Sequence, residues 1–244
     1  MQLKDAMEKI RNYDPVTYGH CLRVGHAARL LAESLGKPEE FCETIEKAGM
    51  LHDIGKVKVP LSIIDKNGPL TAEERTVVNS HVSFGLNEIR KLDDFRPEYA
   101  EAVADHHAYH SNPEKGYQAS GQWHEPSEVA QIMAVADVYD ALANKRSYKK
   151  EFTNEKIKEI MDENLKDGQF NPVMYETFQR EVVPQLIQEK ELSKAPQVNG
   201  IGAKARDGNL REPVAERFKN AIEESRKQMA QRCAPVRGGA ELSR

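Results

Sequence analysis

Cysteine is scarce: three in 244 residues, an odd number with no Cys-x-x-Cys pair. That leaves no disulfide framework and points to a reduced, cytoplasmic setting. Long apolar runs are missing, with nothing approaching the about 18 residues of a membrane-spanning helix. The start, Met-Gln-Leu-Lys-Asp, lacks the apolar stretch of a secretory signal. Clean two-residue alternation is absent, which argues against strands. No internal repeat is visible. Overall charge is small at −4, but it is uneven. Residues 194–244 carry 11 Lys and Arg against 6 Asp and Glu, so the rest of the chain is acidic. An acidic body argues against a long nucleic-acid track. A small phosphorylated ligand, held by a few local cations, remains compatible with it.

What the chain does have is helical patterning, punctuated by Pro, Gly and caps. Residues 1–12 read as a short amphipathic helix. Asp14-Pro15 supplies an N-cap and an N1 proline. The helix that follows carries His20, Val24, Ala28, Leu31 and Leu35 on one face and stops at Gly36. Pro38 opens a helix ending near Leu51-His52-Asp53, with Gly55 as its C′ residue. Residues 56–70 read as a loop. Thr71-Ala-Glu-Glu74 is a capping box that starts a helix with the inward stripe Val78, His81, Gly85, Ile89. A helix from about Pro97 carries Val103, His106 and His107. Residues 109–126 make a long loop of the kind that is often functional. Ser127 and Glu128 begin a helix carrying Met133, Asp137 and Asp140. Helices over about 153–166 and 171–190 complete an expected all-α domain at 1–190. Residues 191–212 read as a linker and 213–231 as an amphipathic helix with Val214, Phe218, Ile222 and Met229 at helical spacing. Residues 232–244 read as a disordered tail. The 213–231 stripe either docks on the core or binds a protein partner or a second copy of the chain.

Five histidines and two aspartates lie on or beside these apolar stripes: His20, His52, Asp53, His81, His106, His107 and Asp137. One inward histidine is usually a satisfied core residue. Seven such groups are costly to bury without metal or mutual pairing. Imidazoles and carboxylates without thiolates suit a two-metal hydrolytic site of iron or manganese. Adjacent side chains on a helix diverge by about 100°. His52 and Asp53 therefore share a site only in a crevice at a helix end, where Asp53 can bridge two cations.

These residues sit in recognisable motifs. Leu51-His-Asp-Ile-Gly-Lys-Val-Lys-Val-Pro60 resembles the signature of HD-GYP domains, a branch of the HD phosphohydrolases. Thr17-Tyr-Gly-His-Cys-Leu-Arg-Val24 is similar to the family's first histidine motif. Asp65-Lys-Asn-Gly-Pro-Leu-Thr-Ala-Glu-Glu74 resembles the segment before its next histidine, here His81. Val135-Ala-Asp-Val-Tyr-Asp-Ala-Leu142 resembles its aspartate motif. Arg146-Ser-Tyr-Lys149 and Gly168-Gln-Phe-Asn-Pro172 resemble later segments. The likeness covers residues 13–185.

The resemblance implies an all-helical HD bundle and a phosphodiesterase that opens a cyclic dinucleotide, typically cyclic di-GMP, to a linear dinucleotide or GMP. It implies two divalent ions, Fe or Mn. One would be held by His20, His52, Asp53 and Asp137, the other by Asp53, His81, His106 and His107. A hydroxide bridging the ions would attack phosphorus. Lys56 would offset charge on the phosphoryl oxygens. Arg146 and Lys149 match phosphate-contacting positions, and Asp140 would orient ligands. Because the likeness begins so early in the chain, a stand-alone cytoplasmic enzyme without a membrane segment is expected.

Three departures stand out. Ala108 replaces the family's usual Glu after the histidine pair. Gly116-Tyr117-Gln118 replaces Gly-Tyr-Pro after a longer loop. Val16 replaces a Glu that supports a third metal in some members, so two metals are expected. The altered loop keeps a second substrate open, another nucleotide such as hybrid cyclic GMP-AMP. A receptor or scaffold acting through 213–231 is the reading from a different class. His26 is expected to be a surface or packing residue. His110 and His124 are expected to be polar loop groups and Lys58 to be solvated. Trp123 and Tyr117 either anchor the loop or stack on a base.

Overall fold

The computed structural model describes residues 1–144 and 152–194. Arg146, Lys149, nearly all of the expected linker, the 213–231 helix and the tail lie outside the described residues. The first helices are α1 (Leu3–Tyr13), α2 (Pro15–Ser34) and α3 (Glu39–Leu51). A 3-10 turn (Ile54–Lys58) and the short α4 (Leu61–Ile64) follow, then α5 (Ala72–Asn79), α6 (His81–Ile89) and α7 (Pro97–Asp105). The remaining helices are α8 (Glu128–Ala143), α9 (Asn154–Lys166), α10 (Pro172–Thr177) and α11 (Val183–Lys194). A π turn at Phe178–Val182 joins the last two. Among the described residues the only extended pairing is one bridge, Ala108 to Gly116. The described residues form an all-α bundle.

Local chemistry sets most boundaries. The Asp14 carboxylate accepts from the backbone of Val16 and Thr17, both at 3.1 Å, and Pro15 pre-sets the first turn of α2. Thr71 and Glu74 form the reciprocal capping box of α5. Ser127 caps α8 through the Ala130 N–H. Most of α8 is buried, including Ile132, Met133, Ala134, Val135 and Ala136. A helix apolar on nearly all sides belongs in a core.

Helices α2, α3, α7 and α8 pack pairwise into a closed ring, and α6 lies against α7 and the 3-10 turn. Leu31, Ile45, Leu51, Tyr99, Ile132, Met133 and Phe178 fill the interior. Each such side chain contributes roughly 1.5–3 kcal/mol of burial. Two close approaches position the site. A Cβ on Gly49 would lie 2.6 Å from the Gly25 Cα, so α2 and α3 touch backbone to backbone. A Cβ on Gly55 would lie 1.9 Å from the His81 carbonyl oxygen. Gly55 therefore admits α6 to the turn after Asp53. It is not the C′ residue expected from the sequence, because its φ is not positive.

Other boundaries differ from expectation. The single helix expected after Thr71 breaks at Ser80, which places His81 at the start of α6. Helix α7 ends at Asp105, so His106 and His107 follow its last turn. The 56–70 loop contains the end of the 3-10 turn and α4. Helix α11 runs to Lys194, into the expected linker.

Candidate metal centre

The seven residues converge at one end of the four-helix ring. His52, Asp53, His81, His106 and Asp137 are buried, and His20 and His107 are partly buried. One ligand atom from each of His20, His52 and Asp137 forms a group within 4.8 Å, and so does one from each of His81, His106 and His107. Asp53 lies between the groups. Its Oδ2 is 3.6 Å from His20 Nε2 and 3.4 Å from His52 Nε2. Its Oδ1 is 3.2 Å from His81 Nε2 and 3.9 Å from His106 Nε2. One carboxylate therefore presents one oxygen to each group.

Backbone carbonyls orient three of the rings. His52 Nδ1 donates to Gly49 O at 2.6 Å, His81 Nδ1 to Val78 O at 2.7 Å, and His106 Nδ1 to Ala102 O at 2.8 Å. A carbonyl only accepts, so each Nδ1 carries a proton; Nε2 of His81 and of His106, whose rings stay neutral, offers a lone pair to the centre, and that of His52 does so once its second proton leaves. His20 is oriented differently. Its Nδ1 donates to Asp140 Oδ2 at 2.7 Å, and its Nε2 faces Asp137 Oδ1 at 3.0 Å. Asp140 is held in turn by a two-pronged Arg23, at 2.6 and 2.9 Å, and by Asn144 at 2.9 Å.

This arrangement suits cations. His52 Nε2 and Asp53 Oδ1 are buried with no hydrogen-bond partner among the described residues. His81 Nε2 and His106 Nε2 face each other at 3.3 Å. Two lone pairs at that distance repel unless a cation is shared between them. The donor set is imidazole and carboxylate, the chemistry of a hydrolytic metal site. The clusters can thus bind metal.

Electrostatics divides the groups. Burial lowers the pKa of His20, but hydrogen bonds and charge from Asp137 and Asp140 more than reverse it. Burial also lowers His52, and the Asp53 charge overturns that, leaving it well above the usual value. His81, His106 and His107 stay low. Burial dominates in all three and brings His107 to about 3. Burial would raise Asp53, but the Lys56 charge and then His52 hold it well below the carboxylate range. Burial likewise opposes ionisation of Asp140, yet Arg23 and His20 bring it to about 2. Lys56 Nζ contacts Asp53 Oδ2 directly.

Arg23 went unassigned in the sequence reading, although it lies three residues after His20 and so on the same helix face. Asp105, Gln118 and His124 also form a network that local pattern could not reveal. His124 Nε2 lies 3.0 Å from Asp105 Oδ2, and Gln118 bonds the His124 backbone. His124 is a polar loop group, as expected. His26 pairs with Glu189 at 2.9 Å, and Lys58 is exposed. Trp123 is 45% exposed and donates to Tyr109 O at 3.4 Å. The Tyr117 ring packs on His107.

A family model described as HD domain matches residues 6–173. The chain is 36% identical over 144 residues to a 3'3'-cGAMP-specific phosphodiesterase 2 of Vibrio cholerae, covering 59% of the chain and 27% of that protein. It is 33% identical over 167 residues to a cyclic di-GMP phosphodiesterase of Thermotoga maritima, covering 68% of the chain and 44% of that protein. The chain thus spans less than half the length of either relative. The HD domain of the Listeria monocytogenes phosphodiesterase PgpH superposes with a TM-score of 0.58 at 18% identity, covering 75% of this chain and 97% of that one. At that identity the likeness shows the fold.

Proposed function

The chain belongs to the HD domain family, with a domain of the HD-GYP type, and on that premise we propose a metal-dependent phosphodiesterase that opens a cyclic dinucleotide. The observation that carries this reading is Asp53, whose two oxygens face two imidazole groups. In this proposal His20, His52, Asp53 and Asp137 hold one ion, and Asp53, His81, His106 and His107 hold a second. The shell suits iron or manganese. Such a pair supplies an activated water and charge stabilisation at phosphorus.

The protein groups have distinct tasks. The carbonyl-bound Nδ1 atoms keep the ligand lone pairs aimed inward before substrate arrives. Arg23 and Asp140 keep the His20 ring turned toward Asp137. Lys56, partly buried beside Asp53, places positive charge where the phosphoryl oxygens gain negative charge. Arg146 and Lys149 are proposed to hold the ligand's phosphates.

Cyclic di-GMP is the proposed substrate. Hybrid cyclic GMP-AMP is the second, favoured by Ala108, Gln118 and the relative that acts on 3'3'-cGAMP. Metal-loaded protein should be assayed with cyclic di-GMP, 3'3'-cGAMP and cyclic di-AMP, with products resolved by chromatography. We expect fastest turnover of cyclic di-GMP to a linear product. Faster cleavage of 3'3'-cGAMP would replace the first substrate with the second. Tight binding without turnover of any of them would favour a receptor.

A further inference from the structure

His107 is held unlike its neighbours. His52, His81 and His106 are fixed by backbone carbonyls and His20 by Asp140. The His107 side chain makes no hydrogen bond among the described residues. Its ring is instead packed between others, 4.0 Å from His106 and 4.6 Å from Tyr117 by centroid, tilted 32° to the latter. The Tyr117 ring is set by its backbone. Tyr117 N donates to His107 O at 3.2 Å, and Ala119 N to Ala104 O at 3.0 Å, so the returning loop runs back along the end of α7. Gly116 has φ +75, and a Cβ there would lie 2.3 Å from the His107 carbonyl oxygen. Only glycine permits that approach.

Gln118 then locks the register. It is buried, accepts from His124 N at 2.9 Å and donates to His124 O at 3.1 Å. The His124 ring reaches Asp105, the residue just before His106. The clasp therefore joins the two chain segments that carry the ring stack. We propose that Tyr117 is a positioning residue for His107, kept in register by the Gln118–His124–Asp105 clasp. The proposal rests on the reading of His81, His106 and His107 as metal ligands. Stacking substitutes for the carbonyl hydrogen bond that His52, His81 and His106 have, and Gln118 fixes the turn that follows Tyr117.

The test is manganese(II) binding to the full chain, measured by competition with a fluorescent chelator, for wild type, Tyr117→Leu, Tyr117→Phe, Gln118→Ala and His81→Ala. Wild type should bind two ions. Tyr117→Leu should weaken one of them tenfold or more, about the usual cost of losing an orienting partner, and it should be the ion that His81→Ala removes. Tyr117→Phe retains the ring and should keep both ions. Gln118→Ala should give a smaller loss at the same ion. Wild-type affinity at both ions in Tyr117→Leu would overturn the proposal. So would equal damage from Phe and Leu, which would assign the effect to the hydroxyl. Loss of both ions in Tyr117→Leu with a lower melting temperature of the chelator-treated protein would also overturn it, since the loop would then only support the fold. Wild type that binds no manganese is a separate result, and it would remove the metal reading itself.

Discussion

The two halves of the centre use the same side chain in opposite electrostatic states. His20 and His52 lie among Asp53, Asp137 and Asp140, and their pKa values are raised despite burial. His81 and His106 have Asp53 as their near carboxylate, the raising charge on His107 comes first from Asp137, and burial outweighs these charges in all three. The first half is rich in carboxylate, so a cation entering it must displace protons. The second presents lone pairs ready to bind. The lesson is that carboxylate count, not histidine count, sets the character of each half. Asp53 makes them one unit, because each of its oxygens belongs to a different half.

Breaking Asp53 should give the largest effect. Asp53→Ala should reduce bound metal from about two ions to fewer than one and bring cyclic dinucleotide turnover to background. His52→Ala and His81→Ala should each remove one ion. Elemental analysis beside a turnover assay checks this, and retention of both ions in Asp53→Ala would deny the bridging role.

Lys56→Ala comes next. It should lower kcat by about 10²-fold, the order seen when one donor to a developing oxyanion is lost. Metal content should stay unchanged. A loss of metal equal to that in Asp53→Ala would make Lys56 a support for the carboxylate only.

The smallest effect sharpens the comparison without substitution. His81, His106 and His107 lie below 6.5, so the unfolded chain binds more protons than the folded one just below that pH. Stability of chelator-treated protein should therefore fall as the pH drops below 6.5. His20 and His52 lie above 6.5, so the folded chain holds the extra protons. Their contribution is present below 6.5 and is lost as the pH rises through their folded values. The melting temperature of chelator-treated protein should peak near pH 6.5. A profile that only rises or only falls between about pH 5 and 8 would show that one half dominates.

Much of this was legible in the sequence because it is local. Asp14-Pro15 and Thr71-Glu74 cap their helices through atoms two to three residues away. The helical spacing of His20, Val24 and Leu31 follows from the apolar face of α2. Less legible were features that depend on distant backbone. Gly55 read as a helix terminator, but its reason is the His81 carbonyl oxygen against it. Arg23 lies in the first histidine motif, but its partner is Asp140 on α8, more than a hundred residues away. Gln118 read as a departure from Gly-Tyr-Pro, and its two bonds to the His124 backbone depend on the path of a loop without periodicity.

The sequence by itself determined which side chains can ligate metal and roughly where the helices beside them run, because residue type and apolar periodicity are local properties. Only the tertiary structure decided how each of them meets Asp53. The contact of Gly25 with Gly49 and of Gly55 with His81 sets the crossings of α2, α3 and α6, and those crossings decide which Asp53 oxygen each ring faces. No local pattern encodes that choice, because it arises where backbones distant in sequence come into van der Waals contact.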